Sequence, residues 1–418
     1  MSSESEVPGM QKGNTISRAT YAVYFFIAAA VLVVLGIVLT IANIKAIYDL
    51  PVIVIGIGVI VAFYALSQYM RRDSLGDVTI SSKTAKTFLT NNAIILALLV
   101  LVVIICIKER KFMQVRVVLD ILTQSSTKLI IALGICFTLL IAGTDLSAGR
   151  MVGLASVISC SMLQTATYAN RFFPDLPQVP IILPVALSIL ACMMFGGLNG
   201  FLVAKYDMHP FIATLATQVI IYGACSLYFD MPPNNSQPIG GVRPDFALLG
   251  QFKFAEKAFG TKFPGISILV PIALIVLVVI WFVLNKTVFG KNVYAIGGNR
   301  EAAVVSGVNV FRTTMGIFIL AGGLYGFAGV LEGARTAGAT NNYGNGYELD
   351  AIAACVVGGV SLNGGIGKVG GILSGVLIFT VIQYGLQFIN VSPMWQQVIK
   401  GIIIAVAVAI DLAKYRKK

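Results

Sequence analysis

"DAIAACVVGGVSLNGGIGKVGG", Asp350 to Gly371, begins as an apolar helix and then abandons that pattern. The apolar run at 350–361 is too short to cross a bilayer alone, which takes about 20 residues. The glycines after it disfavour a helix interior and allow unusual backbone angles. Non-helical backbone at membrane depth persists only where it is buried in protein or lines a cavity. The stretch therefore reads as a broken or re-entrant segment, and the remaining sequence must supply a bundle around it.

It does. The 418 residues are 57% hydrophobic and only 11% charged, against about 25% charged in soluble domains. Apolar runs fall at 20–43, 51–69, 92–107, 128–143, 151–169, 180–204, 211–229, 266–285, 313–336, 350–361, 368–390 and 398–412. The fold class is all-α, a polytopic transmembrane bundle of about 12 spans. The net charge of +12 sits in short segments between spans. There it fixes orientation by the positive-inside rule, so no nucleic-acid partner is expected.

The basic tail "KYRKK" (414–418) is expected in the cytoplasm, with the basic segment 286–312 and the N-terminus on the same side. The loop 230–265, opening with "MPPNNSQP", then falls outside. "KERKFMQVR" (108–116) is basic yet also falls outside by this count. The polar residues 1–19 read as a disordered cytoplasmic tail, 20–86 as an extra hairpin with its cytoplasmic loop, and 87–418 as the main body. A second break at "AGTDLSAGRMVGLASV" (142–157) resembles the first: "LSAGRMVGLASV" and "LNGGIGKVGGILSGV" form a weak internal repeat of parallel sense. Paired breaks of this kind mark the substrate route in duplicated transporters.

Several motifs carry no chemistry. "GIGKVG" (365–370) matches GxGxxG, but no acidic residue follows at dinucleotide-fold spacing. Val369 stands where a P-loop needs Ser or Thr after Lys368, so no nucleotide site and no cofactor are expected. Cys106, Cys136, Cys160, Cys192, Cys225 and Cys355 lie in apolar runs without CxxC spacing, and His209 is the lone histidine, so no metal site is expected. Gly196–Gly200, Gly322–Gly326 and Gly371–Gly375 place small residues one turn apart, as close helix packing in lipid requires.

Charges inside spans are costly and therefore informative. Glu332 and Arg335 are i,i+3 neighbours that can form a structural ion pair. Asp145 and Asp350 are each read as caps of the helices that follow. No acidic residue falls clearly in mid-span, which argues against an ion-coupled carrier. The polar groups at and before the breaks, Thr144, Asp145, Ser147, Asn341, Asn342, Ser361 and Asn363, are the translocation-path candidates.

"GNREAAVVSG" (298–307) is a charged, helix-forming island between two apolar spans. Glu301, Ala302 and Ala303, then three residues and Gly307, resemble the EAA-xxx-G signature of ABC-importer permeases. A short helix held between two spans can be gripped by a soluble partner and pass that partner's motion to both.

From about residue 87 to the end the chain resembles the galactose/methyl-galactoside ABC importer permeases, in the ribose/galactose branch of binding-protein-dependent transporters. The match rests on "ILTQSS" (121–126), "GTDLSAGR" (143–150), "PFIATLATQVIIYG" (210–223), "FGKNVYAIGGN" (289–299), "EAAVVSGVNV" (301–310), "ATNNYGNGYELDAIAACVVGGVS" (339–361) and "WQQVIKG" (395–401). The resemblance implies a permease subunit of the bacterial cytoplasmic (inner) membrane that acts as a homodimer and is not itself an enzyme. It also implies a cytoplasmic ATP-binding subunit at Glu301–Gly307 and an extracytoplasmic sugar-binding protein. The extra 80 or so N-terminal residues depart from the family. Choosing galactose over ribose, another sugar or a nucleoside rests on resemblance alone, and the rival from another class is an ion-coupled secondary carrier.

Overall fold

The computed structural model describes residues 14–41, 78–80, 105, 108–256 and 264–415. The expected span at 51–69, nearly all of that at 92–107 and most of the N-terminal tail lie outside the described residues. The chain divides into two units, Met1–Val118 and Leu119–Lys418.

In the first unit, Ser17 accepts a hydrogen bond from the Thr20 N–H at 3.1 Å and so caps helix α1 (Arg18–Ile41). Ahead of it, β1 (Asn14–Ile16) pairs antiparallel with β2 (Val78–Ile80). That pairing has no counterpart in the apolar pattern. A 3₁₀ turn at Arg110–Met113 occupies the basic stretch 108–116.

The second unit is helical. Its members are α2 (Val115–Leu140), which begins just before it, α3 (Ala148–Met162), α4 (Ile182–Tyr206), α5 (Pro210–Asp230), α6 (Pro244–Gln251), α7 (Leu269–Lys286), α8 (Val288–Gly298), α9 (Arg300–Val305), α10 (Val310–Thr336), α11 (Tyr347–Val357), α12 (Val369–Phe388) and α13 (Pro393–Tyr415). Among the described residues, six helices are long and apolar enough to cross a membrane: α2, α4, α5, α7, α10 and α12.

Three boundaries differ from expectation for physical reasons. Helix α2 starts at Val115 and not near 128, because Asp120, Gln124 and Lys128 recur every fourth residue. They put a polar stripe on a helix that is mostly buried in protein, and the stripe depresses local hydropathy. Helix α3 stops at Met162, short of the expected 169. The chain turns away to pair with a loop strand, Thr165 donating to the Gly241 carbonyl at 2.7 Å. The loop 230–265 contains α6, started by Pro244 at its first position, where a missing N–H costs nothing. A two-stranded ribbon, β3 (Lys253–Phe254) with β4 (Ile266–Ser267), follows it.

The most extensive helix contact is between α4 and α10. Without a hydrophobic driving force between helices in lipid, close packing carries the association. At Gly196 any β-carbon would run into the Phe318 carbonyl, and at Gly322 into that of Cys192. The two glycine-spaced stripes therefore face each other, backbone against backbone.

Candidate functional site

The basic segment 286–312 opens with two short helices, each started by its own cap, and the charged island 298–307 holds the second. Thr287 accepts from the Gly290 N–H at 3.2 Å and starts α8, and Asn299 accepts from the Ala302 N–H at 2.9 Å and starts α9. A third, Asn309, accepts from Arg312 at 2.9 Å and starts α10. Between α9 and α10 the chain reverses at Gly307, whose φ of +82° suits glycine. Glu301, Ala302, Val304 and Val305 are exposed while Ala303 is buried, so α9 presents an acidic side chain and three apolar ones outward. Arg300 pairs with Asp207 at the end of α4. Beside them lies a cavity of about 250 Å³ reached by Asp207, His209, Ile296 and Arg300.

The inward side of α8 holds the second break. The Tyr294 hydroxyl donates to the Gly367 carbonyl at 2.9 Å. Ser361 closes the turn: its N–H donates to the Ile366 carbonyl at 2.9 Å, and its Oγ accepts from the Asn363 N–H at 3.2 Å. The Gly365 N–H reaches across to the Leu140 carbonyl, at the mouth of the first break. A β-carbon on Gly364 would meet Ala142 N at 2.9 Å and the Gly297 carbonyl at 2.9 Å. The end of α8 and both breaks thus meet through main chain.

The first break is held by polar side chains that the sequence reading did not single out. Asn199 of α4 donates to Ser147 Oγ at 3.0 Å, and Thr214 of α5 accepts from the Leu146 N–H at 3.1 Å. Both residues are fully buried; Thr214 has its hydrogen bonds made within the protein, while Asn199 Oδ1 is buried without a partner among the described residues. Asp145 does not cap α3. It accepts from the backbone N–H of Ser147 at 2.9 Å and from its hydroxyl at 2.6 Å, so it fixes the N-cap residue and not the first turn.

Asp350 does not cap its helix either. Gly346 precedes α11, and Asp350 lies inside it, 2.6 Å from Lys400 of α13. Glu332 and Arg335 form a two-pronged pair at 2.9 and 2.6 Å. Of the path candidates, Asp145, Ser147 and Ser361 are buried, Thr144 and Asn341 are partly buried, and Asn342 and Asn363 are exposed. Asn341 donates to Ser226 of α5 at 3.4 Å, while Asn342 accepts from Arg150, inside the first broken stretch, at 3.4 Å. The Arg150 guanidinium also lies over the Tyr222 ring, 4.2 Å from its centre.

Among the described residues no group of three His, Cys, Asp or Glu side chains is placed to hold a metal ion. Cys136, Cys160, Cys192, Cys225 and Cys355 are buried free thiols.

Residues 117–408 match the model of a family described as a branched-chain amino acid transport system / permease component. The galactose/methyl galactoside import permease protein of Haemophilus influenzae is 50% identical over 330 residues, 79% of this chain and 96% of that protein. Its Escherichia coli counterpart is 46% identical over 339 residues, 81% of this chain and 99% of that protein. The ribose import permease protein of Bacillus subtilis is 36% identical over 321 residues, 76% of this chain and 92% of that protein. No solved structure matches the chain significantly.

Proposed function

This chain belongs to the branched-chain amino acid transport system / permease component family, and from that premise we propose that it carries galactose or a methyl galactoside across the bacterial inner membrane. As a multi-pass permease component of an ABC importer it is not an enzyme, and ATP is hydrolysed in a separate subunit. The substrate reading is supported by galactoside permeases at 46 to 50% identity against 36% for the Bacillus ribose permease.

The observation that carries the mechanism is the position of α9. Its outer surface offers Glu301, Val304 and Val305, while the neighbouring α8 is bonded to the second break through Tyr294. We assign Glu301, Ala302, Ala303 and Gly307 to coupling with the ATP-binding subunit. A push on this lever moves Gly297 against Leu140 and Gly364, where both interrupted segments meet. The subunit acts as one half of a homodimer, and an extracytoplasmic binding protein delivers the sugar. That protein supplies the affinity, so the passage itself needs only transient hydrogen bonds. Thr144, Asn341, Asn342 and Asn363 are open enough to offer them, while Asp145, Ser147 and Ser361 hold the chain at the breaks.

The test is uptake of radiolabelled galactose, glucose and ribose into proteoliposomes, with and without the binding protein and the ATP-binding subunit. Galactose uptake that requires both partners and ATP is expected. Uptake by this chain alone, driven by an ion gradient, overturns the reading.

A further inference from the structure

A cavity of about 430 Å³ opens between α2, α10, α11, α12 and α13, within the size range of small-molecule sites. Its wall carries a continuous polar relay from four helices. Lys128 in the middle of α2 donates to Gln383 of α12, Gln383 donates to Asp350 of α11 at 2.8 Å, and Lys400 of α13 lies 2.6 Å from the far oxygen of Asp350. The Glu332–Arg335 pair forms another part of the wall. Ion pairs in a bundle interior are often no more stabilising than apolar residues of the same size. Charges inside membrane helices typically mark a substrate or ion route. Five charged groups from four helices around one cavity are more than packing requires.

We propose that this cavity is the sugar-receiving site of the subunit, where a neutral hexose lodges after leaving its binding protein. The inference rests on the sugar-permease reading above and names its site. The three cations and two carboxylates nearly cancel, as suits an uncharged ligand. Gln124, Gln387 and Gln396 also line the wall, and each amide offers both donors and acceptors to hydroxyl groups. Tyr347 and Phe379 present aromatic faces to the apolar side of a pyranose ring. Past them a narrow apolar cleft continues to Thr380, whose Oγ is buried without a partner among the described residues.

Position supports the same assignment. Glu332 and Arg335 stand near the C-terminal end of α10, whose first residue, Val310, follows the coupling helix. At 1.5 Å per residue Glu332 is about 33 Å along the axis from Val310. The cavity therefore lies at the end of the bundle away from the ATP-driven lever, where a delivered sugar would arrive.

The experiment uses the full chain, with Cys106→Ser and Gln397→Cys, reconstituted with both partner subunits. Gln397 is exposed on the cavity wall. Saturating galactose is expected to slow its modification by a cationic methanethiosulfonate at least threefold, and sucrose at equal osmolality to leave it unchanged. Lys128→Met and Gln387→Leu are expected to lower galactose uptake at least tenfold, with ATP hydrolysis kept within twofold. If wild-type assemblies take up galactose while the sugar gives no protection, or while both variants keep full uptake, the site is overturned and the transport reading stands. If wild-type assemblies with both partners take up no sugar, the transport reading falls and this site falls with it.

Discussion

The main-chain N–H of Gly365 donates to the carbonyl oxygen of Leu140 at 2.8 Å, joining the second interrupted segment to the end of the helix that leads into the first. Leu140 is the last residue of α2, where carbonyls have no partner within their own helix. The bond thus satisfies an orphan group and couples the two breaks in one contact. Gly364 and Gly365 hold φ of +83° and +72°. A side chain there costs roughly 1–3 kcal/mol in backbone strain, before any clash. Gly364→Val is expected to lower the melting temperature of the purified subunit and abolish uptake. A variant as stable as the parent would separate the turn from the fold.

Glu301→Lys reverses an exposed acidic charge on α9. It is expected to leave expression and melting temperature unchanged while abolishing uptake and weakening recovery of the ATP-binding subunit by pull-down. Normal uptake by a well-expressed variant would remove the coupling role.

Asn299→Ala deletes the acceptor for the Ala302 N–H. Loss of such a cap costs about 1 kcal/mol, so α9 should fray while the bundle stays intact. Faster hydrogen exchange across 300–305, with unchanged exchange in α10, is the expected signature. Uniform loss of protection would point to a wider structural role.

Gly196→Leu forces a side chain into the Phe318 carbonyl across the α4–α10 contact. Overpacking of this kind costs about 1–3 kcal/mol or more. Loss of a monodisperse peak in detergent chromatography is expected, whereas Gly223→Leu, in open space on α5, should be tolerated.

Glu332 is buried and Arg335 is its two-pronged partner. Removing one member of a buried pair costs about 3–5 kcal/mol, because the other charge is stranded. Arg335→Met alone should therefore destabilise more than Arg335→Met combined with Glu332→Gln. Additive losses in thermal unfolding would refute that coupling.

The sequence yields the features that depend on local rules. The glycine stripes at Gly196–Gly200 and Gly322–Gly326 face each other, and the turn after the EAA stretch uses the glycine that the pattern pointed to. It hides what depends on which helices become neighbours. Lys128 looks like the polar edge of a span, but in the bundle it sits mid-helix against Gln383 of α12. Asp350 has the spacing of a cap, yet Lys400, far along the chain, determines its place. Asn199 and Thr214 sit inside apolar runs as ordinary polar interruptions, and only the fold brings them to the first break. The four-residue spacing of Asp120, Gln124 and Lys128 was the one available hint of a polar inner face.

Because the bond between Gly365 and Leu140 is made by main-chain atoms alone, it makes no demand on the side chain of Leu140. A recombination event that replaced one segment with that of a distant relative would preserve it wherever the glycines were kept. Such a joint lets each half of the molecule drift toward new cargo while the hinge between them is inherited intact.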